Sequence, residues 1–211
     1  MMIGVSQADV DGAVRNWCEW KDVFEYNGPA ADNPLLVDAA KFATFLRRYS
    51  VYRTIRSGRS ENLRILLRDP QFPLNTILDD ATGLQLDTQE FSLREQFGTR
   101  DGRRGLRAAL SKIAAFLASH RFIAWDKYAR KGLKKVLQRH SVKNYAEYLE
   151  GANALLSGEL GERVRDACNN KYPTQYAAEL DRFHRRVLDR YLMRTGGRPK
   201  QQVLEVVVTE Q

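Results

Sequence analysis

The amino-acid sequence predicts a mostly α-helical fold, a compact domain of about eight helices with a helix–hairpin–helix-like element near its middle. Three observations carry that expectation. Apolar residues recur at helical spacing in one segment after another. Start and stop signals frame those segments, with Asn33-Pro34 opening one, Asp69-Pro70 closing another and "RTGGRPKQQ" ending the last. Hydrophobic residues make up 43% of the 211-residue chain, enough to bury a core, and aromatics make up 10%, which argues against disorder.

The first periodic segment covers residues 35–55. Asn33 is its expected N-cap and Pro34 its first helical residue. Leu36, Ala39, Ala40, Ala43 and Leu46 fall on one broad face, which Phe42, Phe45 and Tyr49 widen. Arg47, Arg48, Arg53, Arg56 and Arg59 make its far end strongly basic. Residues 61–68 read as a short helix. Residues 71–105 hold Pro73, Gly83, Gly98 and a basic, glycine-rich turn at 102–105, so short helices, turns and loops are expected, with a weak strand near 84–91. Leu106, Ala109, Leu110, Ile113, Phe116 and Leu117 step along one face of a buried helix. Residues 127–138 form a second helix, and 144–156 a third, with Tyr145, Tyr148, Leu149, Ala152 and Leu156 facing inward. Pro173 precedes a last long helix over about 174–193, whose inner face is Tyr176, Leu180, Phe183, Val187, Leu188 and Tyr191. The tail "VLEVVVTEQ" is β-prone and is expected as a short edge strand or as disordered chain. With no repeat and no clean linker, residues 1–200 are expected to be a single helical domain and 201–211 a C-terminal tail.

Charge narrows the partners. Lys+Arg 34 against Asp+Glu 26 leaves +8, with a pI of about 9.6, which favours a polyanion, nucleic acid before anionic membrane. Cys18 and Cys168 are far apart, which excludes a disulfide framework by count, and two buried free thiols are expected. His120, His140 and His184 are scattered, with no pair at metal spacing, so no metal and no cofactor is expected. Asp79 and Asp80 are paired carboxylates that a surface turn before Gly83 accounts for. The first residues carry neither a basic n-region nor an apolar h-region, and no apolar run reaches the ~20 residues of a membrane span. A cytoplasmic monomer with no membrane partner is the expectation.

Residues 110–137, "LSKIAAFLASHRFIAWDKYARKGLKKVL", carry the chemistry. Lys112 and Asp126 lie one on each arm of a tight helical hairpin, because the connection "RFIA" is too short to wander. Asp126 is also a good N-cap for the second arm. The pattern Ser-Lys, apolar helix, short turn, aromatic-Asp and a helix with early basic residues resembles the helix–hairpin–helix DNA glycosylases, in particular their short, divergent bacterial relatives, over residues 106–133. That resemblance implies a candidate nucleophile in Lys112 and a candidate catalytic carboxylate in Asp126. It implies double-stranded DNA as partner and excision of a damaged or modified base, in repair or in defence against phage. The family's glycine–hydrophobic–glycine hairpin is absent: "RAALS" precedes Lys112, and the nearest glycines are Gly102 and Gly105.

The residue types suit such chemistry. A carboxylate stabilises the oxocarbenium-like state that forms as an N-glycosidic bond breaks, and a neutral lysine amine can attack the sugar instead. A flipped base needs aromatic surroundings, for which Trp125, Tyr128 and Phe122 are the candidates, with Trp17 and Trp20 beyond them. Arg103, Arg104, Arg107, Arg121, Lys127, Arg130 and Lys131 are the candidates for DNA phosphate contacts. Two other readings stand beside this one. In the first, a non-catalytic DNA-binding protein lays the basic helix in a groove. In the second, the helical domain binds other proteins.

Overall fold

The computed structural model describes residues 4–98, 106–169 and 180–198. Twelve α-helices are found among them, and the fold is mostly helical as expected. The extended pairing found there is one isolated bridge, between Ile55 and Gly98. No helix among the described residues is long and apolar enough to cross a membrane.

The N-terminal part is built from α1 (Gln7–Glu19), α2 (Lys21–Phe24), α3 (Pro34–Val37), α4 (Ala39–Arg48) and α5 (Ser60–Arg68). Asn33 caps α3 as expected, accepting from the Leu35 amide, but the helix does not run on to Ile55. It breaks at Asp38, whose extended backbone and side-chain bond to the Lys41 amide start α4 afresh. The break re-phases the faces: Phe42, Phe45 and Leu46 are buried, whereas Ala39 and Ala40 are exposed. Trp17, Trp20, Phe24, Phe45 and Tyr49 gather around Phe116 of α8 (Arg107–Leu117).

In the middle stand α6 (Leu74–Asp79) and α7 (Leu84–Phe97). The weak strand expected near 84–91 is instead the first half of α7. Asp80 explains the difference: its carboxylate accepts from the amides of Thr82 and Gln85, and Gly83 supplies a left-handed φ of 77° that turns the chain into the helix. In this helix Leu86, Leu93 and Phe97 face in, while Leu84 and Phe91, whose spacing reads as β alternation, stay in solvent.

The C-terminal part holds α9 (Lys127–Val136), α10 (Tyr145–Ser157), α11 (Glu159–Asn169) and α12 (Leu180–Thr195). Helices α1, α2 and α11 are additions to the sequence reading. Tyr176 and the start expected for the last helix, at 174, lie outside the described residues, as does the tail. Cys168 is buried, which pushes its thiol up to about 11, whereas Cys18 is exposed, one position past the inward-facing Trp17. Asp9 of α1 is 4% exposed and takes a two-point ion pair from Arg194 of α12, at 2.6 and 3.2 Å.

Helices α9 and α12 touch backbone to backbone. A Cβ on Gly132 would meet the Leu192 carbonyl oxygen at 2.0 Å, and one on Gly196 would meet the Tyr128 oxygen at 1.8 Å. No other residue fits at either place without separating the helices. Gly132→Ala is therefore expected to destabilise the fold by about 1–3 kcal/mol, despite alanine's better helix propensity. Urea unfolding checks this as a lowered midpoint at unchanged slope. A midpoint equal to the parent's would mean that the two backbones are not in contact.

Candidate active site

The chain that carries Asp126 is an extended strip without a strand partner, so its backbone groups need other partners. Side chains supply them. Ser111 Oγ accepts from the Trp125 amide at 3.0 Å. Tyr145 Oη donates to the Ile123 carbonyl at 2.7 Å, and Tyr148 Oη donates to the Ala124 carbonyl at 3.1 Å. Both tyrosines are fully enclosed, and burial raises their hydroxyl pKa values. Ser111 and Trp125 thus form one rung across the hairpin, and the next rung is Lys112 with Asp126.

On that rung Lys112 Nζ lies 3.8 Å from Asp126 Oδ2 and donates to the Tyr49 carbonyl at 2.8 Å. The other carboxylate oxygen, Oδ1, accepts from the Tyr128 amide at 2.8 Å. Asp126 is therefore both the N-cap of α9 and the partner of Lys112. Side-chain exposures of 14% for the lysine and 23% for the aspartate leave the pair half-buried but reachable. Burial pushes the Lys112 amine below its ordinary value, against the opposing pull of Asp126 and Asp189.

Asp189 is the acidic residue that the sequence reading missed. It lies on α12, one turn before the Leu192 that Gly132 contacts, and is 5% exposed. Its Oδ1 has no hydrogen-bond partner. Burial raises its carboxyl to about 6, only partly offset by Arg186, while Asp126 adds to the rise and Lys112 opposes it. An acid between Leu188 and Tyr191, on the stripe that periodicity marks as inward, was the available signal.

The other candidates divide sharply. Phe122 is 1% exposed and stacks on Tyr145, so no base reaches it. Trp125 is 8% exposed, with the edge of Tyr148 against it and the guanidinium groups of Arg130 and Arg107 over it at 4.4 and 5.2 Å. Trp17 and Trp20 belong to the aromatic core. Tyr128 keeps partial exposure beside Asp126. Among the basic residues, Lys127 and Lys131 are exposed on one face of α9. Arg130 is half-buried, and burial lowers its pKa. Arg107 is paired with Asp87 at 2.8 Å and Glu90 at 3.5 Å, and Arg121 with Asp79 and the Leu78 carbonyl. Sequence spacing did not reveal these pairings, because α7 and α6 supply the acids. Arg103 and Arg104 lie outside the described residues. No group of three metal-ligating side chains is found among the described residues.

Compared with protein-family models, with curated proteins and with solved structures, the chain has no match in any of the three.

The raised Asp189 carboxyl has a consequence for stability. Its ordinary value is 3.8, so between about pH 4 and pH 6 the folded chain holds this proton more tightly than the unfolded chain. Stability therefore falls as pH rises through that window, and the loss is complete above it. Asp189→Asn is expected to be more stable than the parent at pH 8 by on the order of 2 kcal/mol, with the gap closing toward pH 4. Denaturant unfolding across pH 4–8 measures it. A gap that does not change with pH would rule out a buried, ionising Asp189.

Proposed function

We propose that this protein is a DNA glycosylase-like enzyme that takes a damaged or modified base out of the duplex and hydrolyses its N-glycosidic bond. The observation that carries the reading is the Lys112–Asp126 rung: a carboxylate held at a helix start, 3.8 Å from a lysine whose amine burial pushes toward the neutral form. The resemblance of residues 106–133 to the helix–hairpin–helix glycosylases supports it, as does the basic face of α9.

In this mechanism Asp126 Oδ2 faces the sugar and stabilises positive charge as the base departs. Water, oriented by the same carboxylate, completes hydrolysis and leaves an abasic site. When Lys112 is neutral its amine attacks C1′ instead, and the resulting Schiff base leads to strand cleavage. Tyr128 is placed beside Asp126 to stack on the extruded base. The role of the enzyme is repair, or removal of modified bases from phage DNA.

Asp126→Asn provides the test, because asparagine caps a helix about as well as aspartate and the fold is kept. With duplexes carrying damaged bases and with heavily modified phage genomes, the parent is expected to release base and leave alkali-labile sites. Asp126→Asn is expected to lose roughly 10²–10⁴-fold in rate, and Lys112→Gln to lose borohydride-trapped adducts. Equal activity of parent and Asp126→Asn would sink the reading.

A second reading, a DNA-binding module without chemistry, is favoured by the exposure of Lys127 and Lys131 along α9. DNA bound by the parent with no base released on any substrate would select it. Both readings expect affinity to fall with salt, and the Lys127→Ala/Lys131→Ala double variant to flatten the slope of log K against log salt by about 2. Fluorescence anisotropy over a salt series measures this slope, and an unchanged slope would exclude that face of α9 from the phosphate contacts.

A further inference from the structure

An ionisable group in a helix interior normally finds a partner or is excluded. Asp189 is buried with one carboxylate oxygen unpartnered, on the face of α12 that the Gly132 contact draws against α9. The charged and titratable groups around it come from every neighbouring element. Arg186 shares its helix, and Arg198 follows that helix. Lys112 stands on α8, Asp126 at the head of α9, and Tyr145 and Tyr148 on α10. Arg190, also on α12, feels Asp189 as well. Arg186 is itself occupied, lying over Phe116 at 4.3 Å and donating to the Ala115 carbonyl at 3.4 Å. The Asp189 charge is thus neutralised by no single cation, and its field reaches the Lys112 amine.

We propose that Asp189 is a positioning residue that acts through Lys112: its carboxylate keeps the lysine an ammonium ion and so favours attack by water over attack by the amine at the sugar. The proposal rests on the glycosylase reading for its consequence, but not for its electrostatics. An ammonium nitrogen has no lone pair and forms no bond to C1′. It becomes a nucleophile only after an N–H proton leaves to solvent. A nearby negative charge makes that loss harder, and a neutral one does not. Burial and Asp189 therefore push the lysine in opposite directions, and the aspartate sets where the balance falls. With an ionised Asp189 the site is a hydrolase. With Asp189 neutral, the same site turns toward Schiff-base chemistry.

Two measurements test this, one of them free of any substrate. Competitive labelling with acetic anhydride over a pH series, read by mass spectrometry on the Lys112 peptide, gives the pH midpoint of the amine. Asp189→Asn is expected to move that midpoint down by about one unit. An unmoved midpoint overturns the proposal, because a purely structural aspartate would change the amplitude alone. Asp189→Ser, with its smaller side chain, gives the same reading if the asparagine variant does not fold. The second measurement mixes protein with an abasic-site duplex and cyanoborohydride. Asp189→Asn is expected to trap a covalent adduct up to about tenfold faster than the parent near neutral pH, one unit of midpoint being tenfold in free amine. Lys112→Gln should trap none. Slower trapping by Asp189→Asn with a lowered midpoint would also overturn the proposal. Failure of the glycosylase reading shows itself separately, as the absence of base release by the parent.

Discussion

The backbone contact between α9 and α12 is the constraint on which the rest depends. Gly132 lets the Leu192 carbonyl approach to a distance that no side chain would permit, and Gly196 does the same for the Tyr128 carbonyl. Helices in ordinary contact stand 8–10 Å apart because side chains fill the space between them. Removing the side chains brings the two main chains together, and Asp189 comes with α12 toward the Lys112–Asp126 rung. The Asp9–Arg194 pair then ties the far end of α12 to α1, and Val10, Ala13, Val164, Cys168 and Val187 form a small apolar cluster between α1, α11 and α12. The position of the acid follows from packing that begins several residues away from it.

A second layer of order comes from polar bonds inside an apolar shell. Asp87 illustrates it: one carboxylate accepts from the amides of Tyr145 and Ala146 at the start of α10 and also pairs with Arg107 of α8. Three helices are thereby held in fixed relation. Gly83, at the start of α7, is set so close to the Tyr145 ring that a Cβ would meet it at 2.9 Å. Tyr145 in turn holds the strip before Asp126. From α7 to the candidate site, each contact fixes the next.

The helical class and most segments of the second half were legible in the sequence, because long apolar stripes such as Leu106–Ala109–Leu110–Ile113 leave only one way to bury themselves. The Asn33 cap and the Lys112–Asp126 pairing were legible for the same reason, being local or set by a short connection. What was hidden depended on partners remote in the chain. The Asp38 break lies inside a stretch whose apolar spacing continues through it. Helix α7 was obscured because Leu84, Leu86, Phe91 and Leu93 alternate like a strand while only two of the four face the core. Phe122 and Trp125 resemble base-stacking residues until Tyr145, Tyr148 and two arginines are packed on them. Asp189 went unseen because a helical stripe is read by its apolar members, and an acid among them carries no flag.

Asp126 divides its two oxygens between two tasks, one closing the first turn of α9 and the other facing Lys112. The side chain therefore cannot turn toward an incoming group without uncapping its own helix. Its rotational freedom has already been surrendered in folding, so no further entropy is lost when positive charge is brought to the second oxygen. A helix start thus serves as a rigid mount, and the acceptor is aligned before anything arrives to be accepted.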